Sequence, residues 1–393
     1  MTPSALAQHL YSAYEEYALA EATPRHCKHA VVIPLLKNLV RESGGFLRID
    51  NAGKSAEGRS VHLVSCGGGA RRILLWSQMH GDEPTATLAL LDMLSFLVAR
   101  AGQDTWIREM LSDVTLMAIP MLNPDGAERF QRRTAGGIDM NRDALALVTP
   151  EAALLKNMQR RLKPMFGFNL HDQELSSVGE SRCVTAVGLL APALDERLST
   201  PLVRLRAMRV AALIARSLGQ FAAGHIARYK DDFEPRAFGD SMQGWGTSTV
   251  LIESGHWPGD REKKYIRKLN FVALLTAMKA IGDGAYQDVD LDHYRDLPEN
   301  GKRLFDIIIK DVSVRHDAGA RFQADIGLMV EPANNRHSTK PVVTIKDLGD
   351  LSTFGALEII AGGKRSIAAS RVAVDRVLLL SRLLDELQLY HPV

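Results

Sequence analysis

Cysteine is scarce in this chain: three residues in 393, at Cys27, Cys66 and Cys183. An odd and widely spaced set argues against a disulfide framework and fits a reduced compartment better. Long apolar runs are missing too. None approaches the roughly 20 residues that cross a bilayer. The first 20 residues carry Glu15 and Glu16 within their apolar part and lack the charged-then-apolar layout of a secretion signal. The sequence therefore leads us to expect a cytoplasmic protein with no membrane partner. No basic tract stands out and the net charge is only +2, so nothing calls for nucleic acid. Repeats and low-complexity stretches are absent. The run Gly67-Gly68-Gly69 does not open a helix, which excludes a phosphate loop and leaves a hairpin turn as the expectation.

What is present is an ordinary globular composition, 46% hydrophobic and 24% charged. The length suits one large domain with a smaller one attached. Residues 1–58 read as a helical and strand lead-in packed on a larger domain, residues 59–285. Within that domain strand-like runs (72–77, 114–121, 167–170, 249–253) alternate with helical ones (85–100, 150–162, 200–220, 261–281). This alternation predicts an α/β fold, a mixed and mostly parallel twisted sheet with helices on both faces. Residues 286–393 read as a small β-rich domain that ends in an amphipathic helix over 370–389.

Ligands of such sheets gather at the carboxyl ends of the strands. Three chemically capable residues fall there. His80 and Glu83 follow the run Ile73–Met79, three apart on a turn that enters a helix, so one short segment can aim two metal ligands at one point. His171 ends the strand-like Phe168-Asn169-Leu170 and is the best placed third ligand among 12 histidines. Three protein ligands with a fourth position open is the usual catalytic zinc arrangement. Glu253 follows Val250-Leu251-Ile252, where burial of a carboxylate without a partner is costly. That position suits a general base of raised pKa. The stretch 123–147 is expected to be a long loop. It opens on the turn composition Asn123-Pro124-Asp125-Gly126 and contains Asn141 beside Arg142, a fork that matches a carboxylate.

The ordered set of His-x-x-Glu, Asn-Pro-Asp-Gly, an Arg ahead of Asp-x-Asn-Arg, a strand-end His and a strand-end Glu resembles the zinc carboxypeptidase A-like family, the M14 peptidases, over roughly residues 60–280. The resemblance implies one zinc per chain held by His80, Glu83 and His171. It implies that Glu253 is the general base and then the acid. Arg132 would stabilise the oxyanion, with Arg133 as the alternative. Asn141 and Arg142 would hold the substrate's terminal carboxylate, and Asp139 would orient His80 from behind. Tyr229 lies where the family carries a mobile Tyr, although its flanking sequence departs from the pattern. The region 236–243, with Asp240, would face the terminal side chain.

The expected reaction is hydrolysis of the C-terminal amide of a peptide. A related alternative is hydrolysis of an N-acyl amino acid, as in the succinylglutamate desuccinylases and aspartoacylases, which share the zinc constellation and often carry a β-rich C-terminal domain. Another is a non-catalytic binding protein on the same fold, which a missing ligand or base would favour; neither is missing. Nothing in the sequence specifies an oligomeric state.

Overall fold

The structure, a computed structural model, describes residues 1–21, 23–330 and 341–389. The chain divides into two compact units. The first comprises Met1–Glu174, Ala186–His256 and Glu262–Asn300; the second comprises Leu175–Thr185, Trp257–Arg261 and the chain from Gly301 onward.

The first unit begins with α1 (Pro3–Ala13) and α2 (His29–Glu42), then β1 (Arg48–Lys54), β2 (Ser60–Gly67) and β3 (Arg71–Ser77). Next come α3 (Thr85–Arg100), α4 (Thr105–Asp113), β4 (Val114–Ile119), α5 (Pro124–Arg129), α6 (Pro150–Leu162) and β5 (Phe166–Asp172). After β6 (Ser177–Val178), a two-residue strand that belongs to the second unit, follow β7 (Val187–Leu190), α7 (Leu202–Leu218), β8 (Ile226–Arg228), α8 (Phe238–Gly244), β9 (Ser248–Ser254) and α9 (Lys264–Asp283). A single-turn α10 (Asp292–Arg295) and the short β10 (Asn300–Gly301) lead to the second unit.

Eight strands form one sheet in the order β1-β2-β4-β3-β5-β9-β7-β8. Its centre is parallel: β4 with β3, β3 with β5, and β5 with β9. The pairs β1/β2, β2/β4 and β9/β7 are antiparallel. The mixed α/β sheet expected from the alternation is therefore present. On one face, Val61, Leu63, Leu74, Trp76, Met117 and Ile119 pack against Leu155 and Met158 of α6 and Phe238 and Met242 of α8. Helices α3, α4, α7 and α9 pack against the opposite face. Of these, α3 has every residue from Thr85 to Leu94 buried, so it is apolar nearly all round rather than striped. Local chemistry sets the helix starts. Thr149 caps α6 by accepting the Ala152 N–H at 3.2 Å, with Pro150 at the first helical position.

Three expectations need correction. The triple glycine is not a hairpin turn, because β4 lies between β2 and β3. The glycines instead let the connection pass over the start of β4. A Cβ on Gly69 would lie 1.8 Å from the carbonyl carbon of Asp113, and Gly67 sits at φ +79°. The stretch 123–147 is not all loop. It contains α5 and a single 3₁₀ turn, Met140–Arg142. The strands β7 and β8 and the helices α4 and α8 were also not anticipated, being short.

The second unit is a sheet of order β14-β11-β12-β13-β16, with β11 (Leu304–Arg315), β12 (Arg321–Val330), β13 (Val342–Gly349), β14 (Gly355–Ala361) and β16 (Val377–Leu379). Strand β15 (Ser366–Ala368) also pairs with β11. The core joins Ile309, Ile326, Leu328, Val343 and Ile345 to Leu383 and Leu384 of α11 (Leu380–Glu386). The third correction falls here, since the helix expected over 370–389 is confined to α11. Asp375 turns the chain at φ +63°, and Val377–Leu379 pairs with β13. Valines at 372, 374 and 377 favour extended backbone, and the β13 edge supplies a partner for it.

Candidate active site

The ligand-bearing loop leaves β3 at Ser77. Glu83 N–H bonds to the His80 carbonyl at 3.2 Å, so the segment is a turn, and Pro84 stands at the N-cap of α3. The turn is braced by the Asn-Pro-Asp-Gly segment. Asn123 caps α5 through the Gly126 N–H at 2.9 Å and donates its amide to the Met79 carbonyl at 3.2 Å. Asp125, fully buried, accepts from Ser55 Oγ (2.8 Å), the Glu57 N–H (2.9 Å) and Arg59 (2.7 Å), which fixes the turn between β1 and β2. The backbones of the two loops touch: a Cβ on Gly81 would lie 2.0 Å from the Gly126 carbonyl carbon. Only glycine permits that approach.

His80 Nδ1 lies 2.7 Å from Glu83 Oε1, and His171 Nδ1 lies 2.7 Å from Glu83 Oε2. All three side chains are buried, with one ligand atom from each within 4.8 Å of the others. This is the one such group of three among the described residues. Behind His80, Nε2 contacts Asp139 Oδ1 at 3.1 Å, and the same carboxylate oxygen accepts the Asn141 N–H at 2.9 Å. Arg132 bonds Glu83 at 3.0 Å and Asp139 at 3.2 Å. Two imidazoles and a carboxylate converging in a buried place, one imidazole backed by a carboxylate, suit a zinc ion with its fourth position open. His171 Nε2 has no hydrogen-bond partner among the described residues.

The two imidazoles share Glu83 but shift in opposite directions. Burial would lower both; at His80 the Glu83 and Asp139 carboxylates outweigh it and lift the pKa to about 9. His171 has Glu83 alone, and burial holds it below its usual range. Glu83 is driven well below the usual carboxylate range, because the two imidazoles outweigh its burial.

Glu253 on β9 is the register partner of His171 on β5, so the base candidate and the third ligand share a ladder rung. On its other side it faces Gly188 of β7, whose missing side chain leaves room: a Cβ there would come within 3.2 Å of Glu253 Cβ. Burial, reinforced by Glu83, pushes the Glu253 pKa up to about 8. Tyr229 lies in the same field. Its phenol is pushed up to about 12 by burial and then by Glu253 and Glu83, and its N–H bonds to the Leu189 carbonyl at 2.9 Å.

Asn141 accepts the Phe238 N–H through Oδ1 at 2.9 Å, which joins the 3₁₀ turn to the start of α8. Arg142 is half exposed, with Nε 3.5 Å from Glu234. Arg133 does not join the group; it is exposed and bonds the Gly137 carbonyl at 3.0 Å. Asp240 is buried on α8, and burial pushes its pKa up to about 7.

The sequence reading missed several contributors. Asp172 turns to the other face of β5, where it accepts Thr85 Oγ1 at 2.6 Å and Lys263 Nζ at 3.2 Å. Its own N–H reaches Glu83 at 3.3 Å. Asn169 and Gln173 flank His171 at alternate positions, both buried. The Asn169 Oδ1 and both amide atoms of Gln173 have no partner among the described residues. The period-two pattern Asn169-x-His171-x-Gln173 was the signal available for them. Gln78 is the other omission.

A family profile described as zinc carboxypeptidase matches residues 32–164. That span includes His80, Glu83, Arg132, Asp139, Asn141 and Arg142, and ends before His171, Tyr229 and Glu253. Carboxypeptidase 2 of Trichophyton rubrum is 30% identical over 120 residues, covering 30% of this chain and 21% of that protein. Carboxypeptidase SOL1 of Arabidopsis thaliana is 24% identical over 144 residues, covering 35% of this chain and 29% of that one. The chain thus spans less than a third of the length of these curated relatives. Among solved structures, a metallo-carboxypeptidase from Burkholderia cenocepacia superposes with a TM-score of 0.51 at 15% identity, covering 64% of this chain and 68% of that one. Bovine thrombin-activatable fibrinolysis inhibitor, solved with tick carboxypeptidase inhibitor, gives 0.53 at 14% identity, covering 67% and 98%. These two likenesses are of fold. Over residues 32–164 the chain is thus similar in sequence to zinc carboxypeptidases, and over a longer stretch it shares their fold.

Proposed function

We propose that this chain is a zinc metallocarboxypeptidase that hydrolyses the C-terminal amide bond of peptides. The observation that carries the reading is the buried His80–Glu83–His171 group with Glu253 on the ladder rung of His171. His80, Glu83 and His171 hold the metal. When bound, zinc supplies Lewis acidity and makes water acidic enough to ionise near neutral pH. Glu253, a carboxyl whose burial makes it hold a proton tightly, takes the proton of the attacking water and returns it to the leaving amine. Arg132, charged and already against the ligand carboxylate, faces the charge that develops on the carbonyl oxygen. Asn141 and Arg142 hold the free carboxylate of the substrate, and Tyr229 closes against it. Asp139 keeps the His80 ring in orientation.

Glu253→Gln tests the assignment. Zinc content is expected to stay at one per chain, while turnover of C-terminally free peptides falls by about 100-fold or more. Near-wild-type turnover would remove Glu253 from the role of base. The β-rich second unit favours a second reading, hydrolysis of N-acyl amino acids. A panel of short peptides and N-acyl amino acids separates the two by relative kcat/KM.

A further inference from the structure

Gln78 stands two residues before His80, fully buried, with φ at +52°. Side chains larger than glycine rarely adopt that left-handed backbone, and a long residue held there inside a protein has to be held by its surroundings. Both polar atoms of its amide have partners. Nε2 donates to the Gly81 carbonyl at 3.0 Å and to the Cys27 carbonyl at 3.3 Å. Oε1 lies 3.1 Å from the Thr87 hydroxyl and accepts from the Cys27 thiol at 3.7 Å. Its backbone carbonyl accepts the Asn123 N–H at 3.0 Å. One residue therefore ties four segments together: the turn that bears His80 and Glu83, the first turn of α3, the Asn123 turn and the segment before α2. Gly81, which receives one of these bonds, lies between the two ligands in sequence, with its own N–H on the Arg132 carbonyl at 3.3 Å.

We infer that Gln78 is a positioning residue for the metal site: its left-handed backbone and its amide bond to Gly81 together fix where His80 and Glu83 point. Glycine would take the same φ without strain but would leave the Gly81 and Cys27 carbonyls and the Thr87 hydroxyl without this partner. A side chain of similar size without an amide would fill the space and lose the same bonds. A core-filling role and a positioning role thus predict different outcomes for the metal. The inference rests on the zinc reading above, so the test measures zinc directly.

The full-length chain, stripped of metal, is titrated with zinc against a chromophoric chelator, for the wild type, Gln78→Gly and Gln78→Leu. Thermal melts of the metal-free proteins are recorded alongside. Both variants are expected to melt cooperatively and to bind zinc at least about tenfold more weakly. kcat on peptides is expected to fall while KM holds. If Gln78→Leu does not fold, Gln78→Gly, which keeps the backbone conformation, decides alone. Wild-type zinc uptake with unimpaired variants would overturn this inference and leave the zinc site standing. A wild-type chain that binds no zinc would overturn the reading of the site and this inference with it.

Discussion

A buried carboxyl such as Glu253 affects stability as well as chemistry. Its folded pKa, pushed up to about 8, lies above that of an exposed glutamate, so the folded state binds the proton more tightly than the unfolded one. The resulting stabilisation is complete below about pH 4, where both states are protonated, and disappears as pH rises through about 8. The metal-free protein is expected to lose on the order of several kcal/mol between pH 4 and pH 9 from this residue. Glu253→Gln should flatten that part of the profile, as read by urea unfolding at a series of pH values. An unchanged profile would remove Glu253 as its source. Arg142 makes a prediction of another kind. It is half exposed with a single carboxylate, Glu234, at its edge, so it can turn to a ligand without breaking the fold. Arg142→Ala is expected to raise KM for peptides with a free carboxylate by about 10- to 100-fold, with kcat changed much less. If KM holds and kcat falls, the residue serves the chemical step instead of holding the carboxylate.

At the scale of elements, two turns from different parts of the chain depend on each other. Gly81→Ala would force a methyl against the Gly126 backbone, and backbone cannot yield as a flexible side chain can. A loss of about 1–3 kcal/mol is expected, together with weaker zinc uptake. Gly68→Ala, where a Cβ meets nothing within 4 Å, should stay within about 0.5 kcal/mol of the wild type. Paired urea melts would show it; equal losses would mean the contact yields. The same elements explain what could be read from the sequence. His171 and Glu253 stood out because each closes an apolar strand, and His80 and Glu83 because they follow one on a turn, which is visible in one dimension. The central strands and α3, α6 and α9 stood out because their periods are long. Gln78 was hidden because a left-handed glutamine leaves no mark in composition. The path of Gly67–Gly69 was hidden because strand order depends on a β4 that comes later in the chain. The C-terminal helix is shorter than expected because Val374, Val377 and Leu378 have helical spacing while Val372-x-Val374 suits an extended chain equally well, and the sheet partner decided it.

At the scale of the molecule, the first unit is fastened at a second buried polar centre away from the candidate site. Asp92 on α3, with no exposed surface, pairs with Arg267 of α9 and accepts the Tyr14 hydroxyl and the Leu19 N–H, both at 2.9 Å. One carboxylate thus joins the N-terminal segment to two core helices. Asp92→Ala removes the carboxylate that pairs with the buried Arg267 guanidinium and is expected to cost about 3–5 kcal/mol in urea unfolding. A loss below 1 kcal/mol would mean that water or another acid replaces it. The turn from Ser77 to Gly126 has a kinetic consequence of its own. Segments that carry chemistry commonly open locally long before the whole protein unfolds. Here the Leu122 and Asn123 amides are bonded to Ser77 and Gln78 carbonyls, and the Gly126 amide to the Asn123 side chain, all within the core. In deuterated buffer these amides, though none belongs to the sheet, are expected to exchange as slowly as those of β3 and β5, so that the site comes apart only when the sheet does.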